Sequence, residues 1–225
     1  MRIEKIGLAT LYLGDCREVA PLLERPAAVI TDPPYGINFQ YDGYDDSREN
    51  LKELISWLMP WAKANADRIV ILPGITQIYL YPEPDWIMSV CWNTTGSFGG
   101  FGFTQWMPAL LYGKDLKGFG SINGGILKSD VIYFSGMVDN IVNKEKNEHP
   151  CPKPLSIMSK IVARMTEEDC CVVDPFMGSA TTGVAAVKLN RQFVGVEREP
   201  KYFDIACRRI EEAQRQGDLF RDAAE

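Results

Sequence analysis

No apolar run in this chain approaches the roughly 20 residues that span a bilayer. The opening MRIEKIGLAT lacks the long apolar stretch and small-residue cleavage site of a secretory leader. Both absences predict a cytoplasmic protein without a membrane partner. The six cysteines include no C-x-x-C pair and no repeated spacing, so neither a zinc site nor a disulfide framework is indicated. They read as reduced, mostly buried thiols, and no metal is expected. Histidine is nearly missing: His149 stands alone and reads as structural. Basic residues are also short, 24 Lys and Arg against 30 Asp and Glu, for a net charge of −6. That balance weighs against a partner held mainly through phosphates, although a local basic cluster can sit on an acidic surface.

What remains is ample apolar material, 46% of 225 residues, enough for one sizeable core. A single domain over 1–225 is the expectation. Short β-rich runs at 9–15 and 27–32 each end in a carboxylate, with a helical stretch between them. Residues 36–48 read as a surface loop. A helix is predicted from about 50 to 65, bent at Pro60, with Trp57 and Trp61 sharing a packing face. Strands are expected at 68–73, 87–92, 109–113 and 130–134, and the Gly-rich segments between the later ones read as loops. The last third alternates cleanly: helix LSIMSKIVARM, strand CCVVDPF, helix TTGVAAVKL, strand FVGVE, helix YFDIACRRIEEA, then a polar tail. Alternation of this kind implies an α/β fold, with a mostly parallel sheet covered on both faces and ligands beyond the carboxyl ends of its strands. Asp15, Asp32, Asp174 and Glu197 all fall at such ends.

Two motifs carry chemistry. In Asp32-Pro33-Pro34-Tyr35-Gly36 the prolines fix two successive φ angles and offer no N–H, so a carboxylate and a carbonyl are held as two acceptors at a defined separation. Tyr35 adds a flat face for stacking. Those acceptors suit an aromatic amine, a poor nucleophile whose nitrogen gains positive charge when it is methylated. Taken alone, the motif could be a rigid turn at a strand end. In Asp174-Pro175-Phe176-Met177-Gly178-Ser179-Ala180-Thr181-Thr182, a strand passes into a helix through small residues, so that backbone N–H groups and the positive helix end can approach an anionic group. Twenty-odd residues on, Glu197 closes the next strand, where an acidic side chain can accept hydrogen bonds from ribose hydroxyls.

DPPYG, DPFMGSATTGVAA, the preceding HPCPKP and the following FVGVE together resemble the amino-methylating DNA methyltransferases of the β order, in which the catalytic motif precedes the cofactor motif. The resemblance covers about residues 8–36 and 149–212. It implies a Rossmann-like class I methyltransferase fold with circularly permuted motif order, and S-adenosyl-L-methionine as cofactor. It further implies catalysis by Asp32, Pro33, Pro34 and Tyr35. Asp32, Asp174, Phe176, Gly178, Ser179 and Thr181 would meet the cofactor, Glu197 its ribose, Asp15 and Cys16 its adenine, and Lys153 its carboxylate. Ala180 stands where the family usually has glycine, which predicts less room for close approach.

The implied activity is site-specific transfer of a methyl group to adenine N6 in double-stranded DNA, on a base flipped out of the stack, as in restriction-modification systems. Cytosine N4, an RNA or protein amide, and a catalytically silent subunit are the alternatives. Asp at the first catalytic position resembles adenine methylators. The loops at 36–48 and 93–128 are the expected DNA grip, with Phe98, Phe101, Phe103, Trp106 and Phe119 among glycines and Lys114, Lys117 and Lys128 facing phosphates. This insertion is short, which predicts a short or relaxed recognition sequence, or a homodimer that completes the grip.

Overall fold

A computed structural model of the chain describes residues 1–41, 43–92, 98–99, 102–103, 105–113, 129–134 and 153–222. Phe101, Phe119, Lys114, Lys117, Lys128 and His149 lie outside the described residues, as does most of the expected insertion at 93–128. Two compact units emerge, Met1–Thr31 with Glu145–Glu225, and Asp32–Lys144.

The first unit is built on five strands: β1 (Arg2–Ile6), β2 (Ala9–Leu13), β3 (Ala28–Thr31), β12 (Cys171–Asp174) and β13 (Gln192–Glu197), in the spatial order β1-β2-β13-β12-β3. All pairings are parallel except the β1–β2 hairpin at the edge. β3 is buried at every position and β12 at all but its first, so these strands read as continuous apolar runs. β1 escapes sequence detection because RIEKI is mostly exposed and supplies few apolar positions. The helices are α1 (Cys16–Val19), α3 (Leu155–Met165), α4 (Thr181–Lys188) and α5 (Pro200–Asp222). α4 and α5 pack on β12, β13, β2 and β1, with α3 against α4. The α3 boundaries are those expected: Ile157, Met158, Ile161, Val162 and Met165 recur at helical spacing and are buried. α5 extends past the expected 202–213 into the polar tail.

The second unit holds α2 (Arg48–Asn65) and strands β6 (Arg68–Ile71), β7 (Trp86–Trp92), β10 (Trp106–Gly113) and β11 (Val131–Phe134), ordered β6-β10-β7-β11. Here β10 runs antiparallel to both neighbours, while β11 is parallel to β7. The short hairpins β4–β5 (Gln40–Tyr41, Tyr44–Asp45) and β8–β9 (Phe98–Gly99, Gly102–Phe103) complete it. Residues 36–48 are therefore more than a loop. Ser47 caps α2 by accepting the Asn50 N–H. Leu51, Leu54, Ile55, Leu58, Met59 and Ala62 form the buried stripe, and the helix continues through exposed Pro60. Trp57 and Trp61, one turn apart, stack with centroids 5.6 Å apart and planes 7° from parallel.

Among the described residues no helix is long and apolar enough to cross a membrane. The five cysteines described are free thiols; Cys16 and Cys207 are buried and Cys91, Cys170 and Cys171 half-buried.

Candidate active site

Parallel strands deliver their last residues to the same sheet edge, which is where β12 and β13 place Asp174 and Glu197. Asp174 is 2% exposed. Its Oδ1 accepts the Thr31 hydroxyl at 2.6 Å and the Phe176 N–H at 3.1 Å, and its Oδ2 accepts the Thr182 hydroxyl at 2.8 Å. The carboxylate thus ties the end of β3, the turn and the first residues of α4 to one point. Its geometry is that of a residue that shapes the turn.

Glu197 ties the turn from the other side. Its Oε2 accepts the Gly178 N–H at 3.0 Å, its Oε1 the Glu199 N–H at 2.8 Å, and its main-chain carbonyl the Gly14 N–H at 2.9 Å. Burial pushes the carboxyl up to about 6, against the lowering effect of the Glu199, Arg198 and Gly178 N–H groups. Each oxygen retains a lone pair beyond the N–H it accepts, so the group can also take ligand hydroxyls.

Phe176 and Gly178 are the half-exposed members of the turn, while Ser179 and Thr181 are only 5% and 6% exposed. The buried pair is met from behind by Arg209 of α5, whose Nη1 lies 2.6 Å from the Ser179 carbonyl and 3.0 and 3.1 Å from the Ser179 and Thr181 hydroxyls. Ala180 is fully buried in the left-handed conformation, φ 58 and ψ 39. The family glycine at this position is thereby accounted for: glycine reaches that region without a side-chain penalty.

Asp15, half-buried after β2, caps α1 by accepting the Arg17 N–H at 2.8 Å. Burial, with the adjacent Asp15 charge, pushes the Cys16 thiol up to about 12, so it is a neutral apolar wall rather than a nucleophile. Lys153 is half-buried two residues ahead of α3. The first unit therefore brings Asp174, Phe176, Gly178, Ser179 and Thr181 together along one turn with Glu197 beside it, and links Glu197 to the segment bearing Asp15 through Gly14. A half-exposed turn at a helix N-terminus with a carboxylate across it fits a ligand bearing an anionic end and a sugar diol.

The DPPY motif opens the second unit. Asp32 and Tyr35 are half-buried, and the Tyr35 hydroxyl donates to Asp32 Oδ1 at 2.7 Å. Gly74 supports the Tyr35 ring: a Cβ there would lie 3.2 Å from Tyr35 Cγ and 2.8 Å from Gln77 Oε1, so the ring stem needs a residue without one. Gly36 turns the chain away at φ 65.

Two residues here were not expected from sequence. Asp46, 2% exposed, accepts the N–H groups of Gly36 at 2.7 Å and of Ile37 and Phe39 at 3.1 Å, and its carbonyl accepts that of Asn38 at 2.7 Å. It fixes the chain leaving the motif and presents Ile37 and Phe39 to solvent. Tyr81 is buried, and its phenol pKa is pushed up by burial and then by the Asp32 charge, which keeps it neutral. No local pattern marked either one. Trp106, at the start of β10, is 40% exposed and so available to a ligand.

The α/β architecture and the small-residue turn facing an acidic strand end define the class I methyltransferase type. The solved structure of M1.HpyAVI in complex with SAM superposes with a TM-score of 0.66 at 26% identity, over 90% of this chain and 98% of that one. The N6/N4 methyltransferase family, described as DNA methylase, matches residues 126–208. Type II methyltransferase M.HinfI of Haemophilus influenzae is 26% identical over 91% of this chain and 69% of its own length. Type II methyltransferase M2.MboI of Moraxella bovis is 41% identical over 69 residues, 31% of this chain but only 25% of that relative. In these spans the chain is similar to N6/N4-type DNA methyltransferases, and its 69-residue match to M2.MboI covers a quarter of that relative's length.

Proposed function

We propose that the chain is a site-specific, S-adenosylmethionine-dependent DNA methyltransferase that methylates adenine N6 in double-stranded DNA, working in the cytoplasm as one methyltransferase domain. The carrying observation is the Asp32 carboxylate, half-buried on a proline-fixed backbone with the Tyr35 hydroxyl 2.7 Å away.

The cofactor supplies a sulfonium methyl group, an electrophile that needs no covalent enzyme intermediate. The chain's task is to hold the amine. Asp32 and the Pro33 carbonyl accept from its two hydrogens and stabilise the positive charge that grows on nitrogen, and the rigidity of Pro33 and Pro34 means little reorganisation at the moment of transfer. Tyr35 stacks on the base. Because the Tyr35 hydroxyl already occupies one side of Asp32 Oδ1, it also orients the carboxylate.

Cofactor binding falls to the first unit. Glu197 accepts the ribose hydroxyls, and Phe176, Gly178 and the start of α4 take the methionyl end, with Lys153 near its carboxylate. Asp15 and Cys16 lie toward the adenine. Asp174, Ser179 and Thr181 serve the same site by holding its turn. Asp at the first catalytic position favours adenine over cytosine N4. The basic and aromatic loops grip the duplex, completed in a homodimer, which size-exclusion chromatography with light scattering on DNA checks.

The test is transfer of a labelled methyl group from S-adenosylmethionine to unmethylated genomic DNA, followed by nucleoside digestion and mass spectrometry. N6-methyladenine is expected. N4-methylcytosine would keep the mechanism and correct the base, and no labelled nucleoside from protein that binds the cofactor would overturn the DNA reading. Asp32→Ala is expected to abolish transfer while leaving cofactor binding intact; full activity would refute the role of the carboxylate.

A further inference from the structure

A turn that must present backbone N–H groups to a ligand works only if its peptide planes are held. In this chain the plane between Ser179 and Ala180 is held at both ends. Its carbonyl accepts from Arg209 Nη1 at 2.6 Å, and its N–H donates to the Met177 carbonyl at 2.7 Å. The plane leads into Ala180 in the left-handed conformation, φ 58, which is strained for an alanine. The same nitrogen reaches the Ser179 and Thr181 hydroxyls, so both side chains turn inward to Arg209. The half-exposed members, Phe176 and Gly178, are left to form the ligand side.

We infer that Arg209 is a positioning residue for the amino-acid end of the cofactor: its guanidinium clamps the Ser179–Thr181 turn from behind and so sets the aim of the first N–H groups of α4, which have no intrahelical acceptor. A planar fork held by several acceptors does this better than an ammonium on a flexible stem. The clamp compensates for alanine where a glycine would need none. It acts on the part of the ligand that carries the carboxylate and not on the nucleoside, whose ribose is met by Glu197 on another strand. The inference rests on the cofactor reading given above.

The experiment compares two ligands on the full chain by calorimetry, S-adenosylhomocysteine, which has the amino-acid end, and 5′-methylthioadenosine, which lacks it. Arg209→Gln is expected to raise the Kd of the first tenfold or more and of the second less than threefold. Arg209→Lys, which keeps the charge and loses the fork, should fall between and decides the matter if the glutamine variant does not fold. In an Ala180→Gly background the loss on Arg209→Gln should shrink, because glycine holds φ 58 without the clamp. Equal loss for both ligands, or no loss for either, overturns the inference. Wild-type protein that binds neither ligand overturns the cofactor reading, and the inference with it.

Discussion

Replacing Asp174 by alanine removes one acceptor from three buried donors at once: the Thr31 hydroxyl, the Thr182 hydroxyl and the Phe176 N–H. Thr31 is fully buried and Thr182 5% exposed, so water does not readily replace the lost partner. A buried donor left unsatisfied costs about 1–3 kcal/mol, and the two hydroxyls can rotate toward other carbonyls, which puts the sum near the lower end, about 3–5 kcal/mol. Relief of a buried charge offsets part of this, for an expected loss of about 3 kcal/mol. Against the ~5–15 kcal/mol of a typical domain this is a large fraction. Asp174→Asn is the control, since its remaining oxygen can still accept from Thr31 and Phe176 while Thr182 reverses from donor to acceptor; a loss of about 1–2 kcal/mol is expected. Urea denaturation followed by far-ultraviolet circular dichroism reads both, with the slope checked for constancy. In the same variants cofactor affinity should fall in the same order, because the turn is what the carboxylate holds. An alanine variant within about 1 kcal/mol of wild type, or an asparagine variant as damaged as the alanine, would refute the assignment of Asp174 as the organiser of the turn.

Glu197 gives a pH prediction of two opposite signs. Its folded pKa of about 6 lies above the usual 4.5, so the folded chain holds the proton more tightly and stability falls as pH rises from about 4.5 to about 6, then levels. With Glu197 in its proposed role of accepting the ribose hydroxyls, affinity should drop about tenfold between pH 7 and pH 5, and Glu197→Gln should flatten that profile in calorimetry. Ala180→Gly relieves about 1–2 kcal/mol of left-handed strain, but loses about 0.8 kcal/mol of methyl burial and about 0.4–1 kcal/mol through the freer unfolded chain. Its urea midpoint should therefore stay near wild type while affinity for S-adenosylhomocysteine rises. Asp46→Ala should cost about 1–2 kcal/mol, since the exposed positions of its loop can turn to water, yet lower methyl transfer more than cofactor binding, measured on the same preparation.

How far the sequence carries depends on whether a residue's partners are local. The α3 helix is legible to the residue because its apolar spacing and the Pro154 before it are both in view, and β12 because a buried parallel strand is a plain apolar run. The two Asp-Pro motifs are legible as strand ends. Asp46 is not, since YDDS looks like any acidic loop and its partners return through a hairpin. Nor is Arg209, which in RRIEEA reads as part of a solvated helix face. Ser179 and Thr181 are recognisable as turn residues, but only the approach of α5 shows that their hydroxyls meet Arg209.

The two aspartates that begin the Asp-Pro motifs show how one local grammar yields different chemistry. Each follows a buried strand and precedes a proline that stiffens the exit. Asp174 faces two threonine hydroxyls and a backbone N–H, and at 2% exposure its charge is spent on the protein. Asp32 is half-buried, Pro33 and Pro34 contribute no N–H, and the Tyr35 hydroxyl donates to its Oδ1 at 2.7 Å. A carboxylate surrounded by fixed donors is a structural anchor, because removing any donor costs the fold. One followed by two prolines receives no N–H from the next two residues, and the N–H groups of Gly36, Ile37 and Phe39 further along go to Asp46.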